Sequence, residues 1–372
     1  MINRENEKRV LLHGYFNKNL GDDLFFDILF KRYKNVVFYI YGLKKNILWF
    51  KRYQNVKLIF QPNSKIFKLL FSLMNKDYNL FMYRREFNKS KYKNISAIVT
   101  IGGSIFMENP GKRQPFSKMK EDFLLFPNVK QFLLGCNFGP FKTEKFFNEK
   151  KDLISKFEDV YFRDIYSYQL FEGLPNIRYG LDIVLKYFNK KSTPIDNSIG
   201  FALTPYRTND VSKKRHYERK CAEVIFEAVK KKYIVTLFSF CEPEGDLLLI
   251  QNILNQIHDK SVRKLIKVVS YNGNLEEFLN IFLSQEYILA GRYHAFVLCL
   301  KNKINVVPII YNIKQKNLIS DINYVGKTIN ISDLSNIDNE FLFMNTSEYT
   351  IENCSEPFEK LDLFLSGKKS NE

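Results

Sequence analysis

The sequence predicts an α/β protein made of two successive series of mostly parallel strands, each covered by helices on both faces. Three observations carry this expectation. Short runs rich in β-branched and aromatic residues alternate with longer amphipathic runs, the pattern of repeated strand–helix units. The alternation occurs twice, and a polar, proline-containing stretch at 186–198 separates the two series. At 372 residues the chain is also long enough for two domains that each bury a core. The expected organisation is an N-terminal domain over 1–185, a linker over 186–198, a C-terminal domain over 199–325, and a segment over 326–372 that packs back on the domains.

In the first series, residues 9–13 read as a strand, followed by the loop GYFNKNLGDD and a helix over 24–33 in which Leu24, Ile28 and Leu29 recur at helical spacing. Strands at 36–41 and 56–60 and a helix at 65–74 follow. Residues 95–101 form the clearest strand of this half and end in Gly102-Gly103-Ser104, before a loop, ENPGKRQPF, too rich in Pro and Gly to be regular. A buried strand at 129–134 leads into GCNFGP, and a shorter one at 160–162 runs into Arg163-Asp164-Ile165-Tyr166-Ser167, where a helix should start.

The second series reads as strand 199–203, helix 216–231, strand 234–240, helix 246–258, strand 265–269 and helix 275–283. A strand at 287–290 then passes through Gly291 into a helix opening on Arg292-Tyr293-His294, with a last strand at 304–310. Residues 349–365 read as a helix interrupted at Pro357. Strands separated by helices pair in parallel and place their functional loops at the carboxyl ends of the strands.

With 45% hydrophobic and 16% aromatic residues the chain is a folding one. A net charge of +17 favours an anionic partner, but the lysines are scattered in short pairs such as Lys44-Lys45, so much of the excess reads as solvated surface. Five widely spaced cysteines without a C-x-x-C pair argue for reduced thiols and against a disulfide scaffold or zinc site. The polar start, MINRENEKRV, lacks the apolar core of a signal peptide, and no run approaches a membrane span. The expected location is cytoplasmic, with at most peripheral contact at the inner face of an anionic membrane.

The candidate functional residues lie at the strand ends. Gly291 leaves the first N–H groups of the following helix open to an anion, and Arg292 and His294 sit at that mouth. Of the four histidines, His216 and His258 lie in polar helical contexts, and His13 precedes the first glycine loop. His294 alone has an arginine two residues before it at a strand-to-helix junction, which suits it best to proton transfer. In the first loop, Asp22 or Asp23 either caps the helix, worth about 0.5–2 kcal/mol, or serves a ligand. Gly102-Gly103-Ser104 offers backbone amides, but G-x-G-x-x-G, the Walker lysine motif, G-x-S-x-G and H-E-x-x-H are all missing from the sequence.

Taken in order, these stretches resemble the polysaccharide pyruvyl transferase family over roughly residues 11–318. Gly14 to Asp23 is similar to the family's N-terminal loop with its N-x-G-D-E, with Asp23 in place of glutamate. Gly102-Gly103-Ser104-Ile105-Phe106 is similar to its G-G-G-x-F, with Ser104 for the third glycine. GCNFGPF resembles its G-x-x-x-G-P segment, and Arg163-Asp164-Ile165-Tyr166-Ser167 matches its R-D-x-x-S. Arg292-Tyr293-His294-Ala295 resembles its R-x-H-A signature, with Tyr293 where leucine is usual, and Tyr311-Asn312-Ile313-Lys314 resembles its Y-x-x-K.

The resemblance implies two Rossmann-like domains in a GT-B-like arrangement. It also implies transfer of the pyruvyl carbons of phosphoenolpyruvate to two hydroxyls of a sugar in a cell-surface or exopolysaccharide precursor, forming a ketal and releasing phosphate. Phosphoenolpyruvate carries a phosphate and a carboxylate, so its site should hold several fixed cations: Arg163, Arg292 and Lys314, with Arg207 as a further one. His294 would move protons, and Arg292 would balance the leaving phosphate. Gly14, Asn19, Gly21, Asp22, Asp23, Gly102, Gly103 and Ser104 are expected on the opposite, acceptor side, facing a nucleotide-linked, lipid-linked or polymeric sugar. No metal and no cofactor is expected beyond the donor substrate itself, and no nucleic-acid partner. Two other readings stay open: a glycosyltransferase using a nucleotide sugar, and a non-catalytic binder of anionic surfaces or nucleic acid that rests on the charge alone.

Overall fold

In a computed structural model of the chain, residues 8–60, 94–108, 117–188, 192–333, 348–350 and 355–367 are described. The helix expected at 65–74 and most of the ENPGKRQPF loop lie outside the described residues. The chain divides into two compact units, one formed by Met1–Asn17, Phe25–Leu181 and Cys354–Glu372, the other by Lys18–Leu24 and Asp182–Asn353.

The first unit contains a parallel sheet of seven strands: β1 (Arg9–His13), β2 (Val37–Gly42), β3 (Val56–Phe60), β4 (Ala97–Ile101), β5 (Lys130–Cys136), β6 (Asp159–Phe162) and β7 (Ile177–Tyr179). Their order in space is β3-β2-β1-β4-β5-β6-β7, so the direction of winding reverses between β1 and β4. All five residues of β4, Ala-Ile-Val-Thr-Ile, are buried, as a central strand covered on both faces requires. Phe25, Phe26, Phe30, Phe38 and Phe50 are each at most 2% exposed; Phe26 stacks on Phe30, both meet Phe50 edge-to-face, and Phe38 lies tilted against Phe30.

The second unit contains a parallel sheet of six strands: β8 (Ile195–Ala202), β9 (Ile234–Ser239), β10 (Lys267–Ser270), β11 (Gln285–Ala290), β12 (Asn305–Ile310) and β13 (Ile329–Asn330). Their order is β10-β9-β8-β11-β12-β13, the Rossmann order, and here the winding reverses between β8 and β11. Helix Val211–Lys230 lays Tyr217, Cys221, Ile225 and Ala228 on this core, beside Leu249, Ile250 and Ile253 of helix Asp246–Gln256. The fold class is that expected: two α/β units with parallel sheets.

Several boundaries differ from the sequence reading, each for a physical reason. Residues 195–198, read as linker, open β8, because Ile195 pairs with Gln285 although 195–197 are exposed. The first helix begins at Leu20 rather than 24, because the Asn19 side chain accepts the Gly21 N–H at 3.0 Å and so caps it. Strands β7 and β13 are too short to show alternation, and helices Lys260–Lys264 and Ile313–Asp321 fell in polar stretches.

Of the segment expected over 326–372, residues up to Asn353 count with the second unit and those from Cys354 with the first. Within the first unit, Arg178 forms a fork to Asp159 at 2.7 and 2.8 Å and donates to the Glu356 carbonyl at 2.8 Å. There the Tyr33 hydroxyl donates to Asp362 at 2.7 Å, on helix Glu359–Ser366.

Candidate active site

In open parallel sheets ligands bind beyond the carboxyl ends of the strands, where the winding reverses. Each unit carries a group of the singled-out residues at its own reversal.

In the first unit, β1 ends in His13-Gly14 and β4 in Gly102-Gly103-Ser104. Arg163, at the end of β6, is 3% exposed and donates to Asn137 Oδ1 at 2.9 Å, and the Ser104 hydroxyl lies 3.4 Å from the same oxygen. Glycine at 103 leaves room for the arginine, since a Cβ there would sit 2.2 Å from the Arg163 guanidinium. Asp164 and Ser167 of the R-D-x-x-S stretch serve structure. Asp164 caps helix Ile165–Gln169 by accepting the Ser167 N–H at 2.8 Å, and the Ser167 hydroxyl accepts the Phe138 N–H at 2.7 Å. His13 Nε2 lies 2.9 Å from the buried carboxylate of Asp122, a pairing absent from the sequence reading.

In the second unit, β11 runs through Gly291 into helix Tyr293–Asn302, whose N-cap is Arg292, so the strand-to-helix junction is as expected. Arg292 is nearly buried, and its guanidinium is committed to carboxylates: Nε donates to Asp246 Oδ2 at 3.0 Å, Nη2 to Asp246 Oδ1, and Nη1 to Glu244 Oε2 at 2.5 Å. Asp246 also accepts the N–H groups of Phe240 and Cys241, each at 3.0 Å, so it fixes the arginine from a rigid strand end. Burial pushes the Asp246 carboxyl up against the opposing pull of Arg292, and two carboxylates hold the arginine's pKa well above its ordinary value in spite of burial.

Glu244 is shared more widely. It accepts from Arg292, from Asn19 Nδ2 at 3.3 Å and from the exposed Arg207 at 3.4 Å. Burial would raise its pKa, yet Arg292, Arg207 and Lys314 together hold it below the ordinary carboxylate value. Lys314 lies in the first turn of helix Ile313–Asp321, its ammonium 5.9 Å from the centroid of the Tyr293 ring. Tyr293 also sets its ring edge-on to His294 at 5.2 Å.

His294 is 15% exposed, with Nε2 3.7 Å from Oδ2 of the fully buried Asp182. Its other face lies against Gly21, where an added Cβ would fall 1.7 Å from Nδ1. Asp23 is fully buried and accepts from the Tyr271 hydroxyl at 2.7 Å. Neither Asp22 nor Asp23 is the cap of the first helix; Asn19 is.

The singled-out residues divide between the two compact units. Asn19, Gly21, Asp22 and Asp23, placed with the acceptor, belong to the second unit with Arg292, His294, Lys314 and Arg207, because the Leu20 N–H bonds to the Phe240 carbonyl and Asn19 to Glu244. Gly14, Gly102, Gly103, Ser104 and Arg163 belong to the first unit. Sequence reasoning missed Glu244, Asp246, Asp182 and Asn137. The run Glu242-Pro-Glu-Gly-Asp246 directly after β9 was the available signal for the first two, since an acidic strand end in so basic a chain calls for a cationic partner.

The fold and these strand-end groups define a two-unit, parallel-sheet α/β protein of the type found in GT-B glycosyltransferases. The chain belongs to the polysaccharide pyruvyl transferase family, whose sequence profile matches residues 19–313. The match takes in Arg163, Arg292 and His294 and stops one residue before Lys314. Among solved structures, the chain is similar to HepE (Alr3699) of Anabaena in complex with UDP and glucose, with 10% identity, 90% of this chain and 89% of that one covered, and a TM-score of 0.53. It is also similar to UDP-GlcNAc 2-epimerase from Neisseria meningitidis bound to UDP-GlcNAc, with 10% identity, 90% of each chain covered and a TM-score of 0.51. A glycosyltransferase from Rickettsia africae matches with 9% identity, 86% of this chain and 82% of that one, at a TM-score of 0.50. At these identities the likeness is one of fold. No curated protein matches the chain. Among the described residues no helix is long and apolar enough to cross a membrane.

Proposed function

We propose that this family member transfers the pyruvyl carbons of phosphoenolpyruvate to two hydroxyls of a sugar, a precursor of a cell-surface or exopolysaccharide, forming a cyclic ketal and releasing phosphate. The observation that carries this reading is the environment of Glu244. Three cations from segments that follow three different strands, Arg207 after β8, Arg292 after β11 and Lys314 after β12, act on this one carboxylate beside the N-terminus of a ten-residue helix. Such a point favours a carboxylate or phosphate from a ligand as much as one from the chain. On this reading the donor displaces Glu244 and takes over Arg207 and Lys314. Asp246 meanwhile keeps Arg292 oriented, so that one guanidinium edge serves the ligand.

His294 supplies the proton chemistry. Its imidazolium gives a proton to the methylene carbon of the donor, forming a C–H bond and leaving cationic character at the adjacent carbon. A sugar hydroxyl attacks that carbon and returns its proton to the imidazole. The bond to phosphate then breaks as the second hydroxyl adds, and the second hydroxyl's proton leaves with the phosphate. Arg292 balances the charge of the departing group. The donor needs no further cofactor for this sequence.

The test is phosphate release from phosphoenolpyruvate over a panel of nucleotide-linked and lipid-linked sugars, with mass spectrometry of the product. A pyruvate ketal on the sugar is the expected result. Sugar transfer from a nucleotide sugar, with phosphoenolpyruvate untouched, would replace this reading by that of a glycosyltransferase.

A further inference from the structure

We propose that Asp182 is the positioning residue of His294, an assignment that rests on the role given to His294 above. Asp182 lies at the first residue of the second unit's main segment, far from His294 in sequence, and its side chain is fully buried. One carboxylate oxygen, Oδ1, accepts the Val184 N–H at 2.9 Å and caps the 3₁₀ turn Ile183–Lys186. That anchor fixes the direction of the other oxygen, Oδ2, which faces His294 Nε2 at 3.7 Å. The separation is that of a charge contact rather than a hydrogen bond.

A buried carboxylate at this distance favours the imidazolium over the neutral ring. The proposed first step needs that form, because the ring must hold a proton before it can deliver one to the methylene carbon. The backbone of Gly21 closes the Nδ1 side, so the ring is held between a fixed charge and a wall without a side chain. Helix Tyr293–Asn302 carries the histidine on its first turn, where the helix dipole opposes a positive charge. Asp182 offsets that opposition, which explains why a carboxylate is buried here although the 3₁₀ turn could be capped by a neutral group.

Asp182→Asn is the discriminating variant, because its amide oxygen can still cap Val184 while the charge is gone. Asp182→Ser, which can also cap, guards against a folding defect peculiar to asparagine. The chain has only four histidines, so imidazole nitrogen resonances of the ¹⁵N-histidine-labelled protein are resolvable, and His294→Gln assigns the relevant pair. The expected result is a change in the His294 nitrogen shifts in both variants. In phosphate release, kcat should fall about tenfold or more with KM for phosphoenolpyruvate unchanged, and Asp182→Glu should recover part of the rate. Unaltered His294 resonances in folded Asp182→Asn would overturn the assignment, as would an unaltered kcat. Failure of the donor reading is separable: the wild type would then leave phosphoenolpyruvate intact, while the resonances still decide whether Asp182 governs His294.

Discussion

Arg292 is the residue whose meaning the structure changes most. Read from sequence it is a cation waiting for a phosphate; in the fold it is nearly buried and forked onto Asp246. Removing it therefore does more than weaken a ligand. Arg292→Met would leave the Asp246 carboxylate buried without its counter-ion, a change worth about 3–5 kcal/mol. Urea unfolding should show that loss, and Arg292→Met/Asp246→Asn should regain much of it, since both backbone N–H groups donate to one carboxylate oxygen and the asparagine amide oxygen can take its place. A folding stability equal to wild type in the single variant would mean that the pair is not what holds the arginine. Glu244 behaves differently because, on the proposed reading, the donor displaces it from its cations. Glu244→Gln should lower KM for phosphoenolpyruvate about threefold to tenfold, the latter being 1.4 kcal/mol, by removing the competing charge. Its pKa is depressed in the fold from 4.5, so its contribution to stability is complete above that value and fades as pH falls through the lower folded value. Wild type and Glu244→Gln should thus differ in stability at neutral pH and converge in acid, as thermal melts across that range would show.

At the scale of the element, the first helix shows what a sequence pattern can and cannot disclose. Its apolar positions were legible because they are core: Leu24, Phe25, Phe26 and Leu29 are each fully buried. Its first turn was not, because Leu20-Gly21-Asp22-Asp23 has no helical stripe, and its cap and ligand-side partners lie more than two hundred residues away in Glu244, Tyr271 and His294. The central strands were legible for the same reason as the helix's apolar face, continuous burial, whereas β7 and β13 at the sheet edges carry too few residues to stand out. Arg292 and His294 were legible as a pair at a helix mouth; the carboxylates that hold them were not, since pairing across the chain leaves no local mark. Gly21 sharpens the point. In an isolated helix Gly→Ala gains about 1 kcal/mol, but here the new methyl would meet the His294 ring, and overpacking of this kind costs about 1–3 kcal/mol. The collision should win: Gly21→Ala should be less stable than wild type and lose phosphate-releasing activity, whereas a rise in melting temperature with full activity would show the ring moves aside at no cost.

At the scale of the molecule, the chain is threaded so that its last stretch completes its first unit. Residues 355–367 bring Phe358 and Leu361, both fully buried, and the acceptors that Arg178, Tyr33 and Arg32 use. Two such side chains contribute about 1.5–3 kcal/mol each, and Asp159 would keep Arg178 only in part once the carbonyls of Glu356 and Pro357 are gone. Deleting 355–372 should therefore weaken the first unit while leaving every described strand of the second sheet intact. The sequence supplies its own reporter, because its single tryptophan, Trp49, stacks on Phe50 in the first unit. Two cores in one chain need not unfold together. Tryptophan fluorescence of the truncated protein should lose its signal at a lower denaturant concentration than in the full chain, and the far-ultraviolet ellipticity should retain a second transition at the original position. A single transition, shifted equally for both signals, would show instead that the two cores unfold as one cooperative body and that the terminal helix stabilises both.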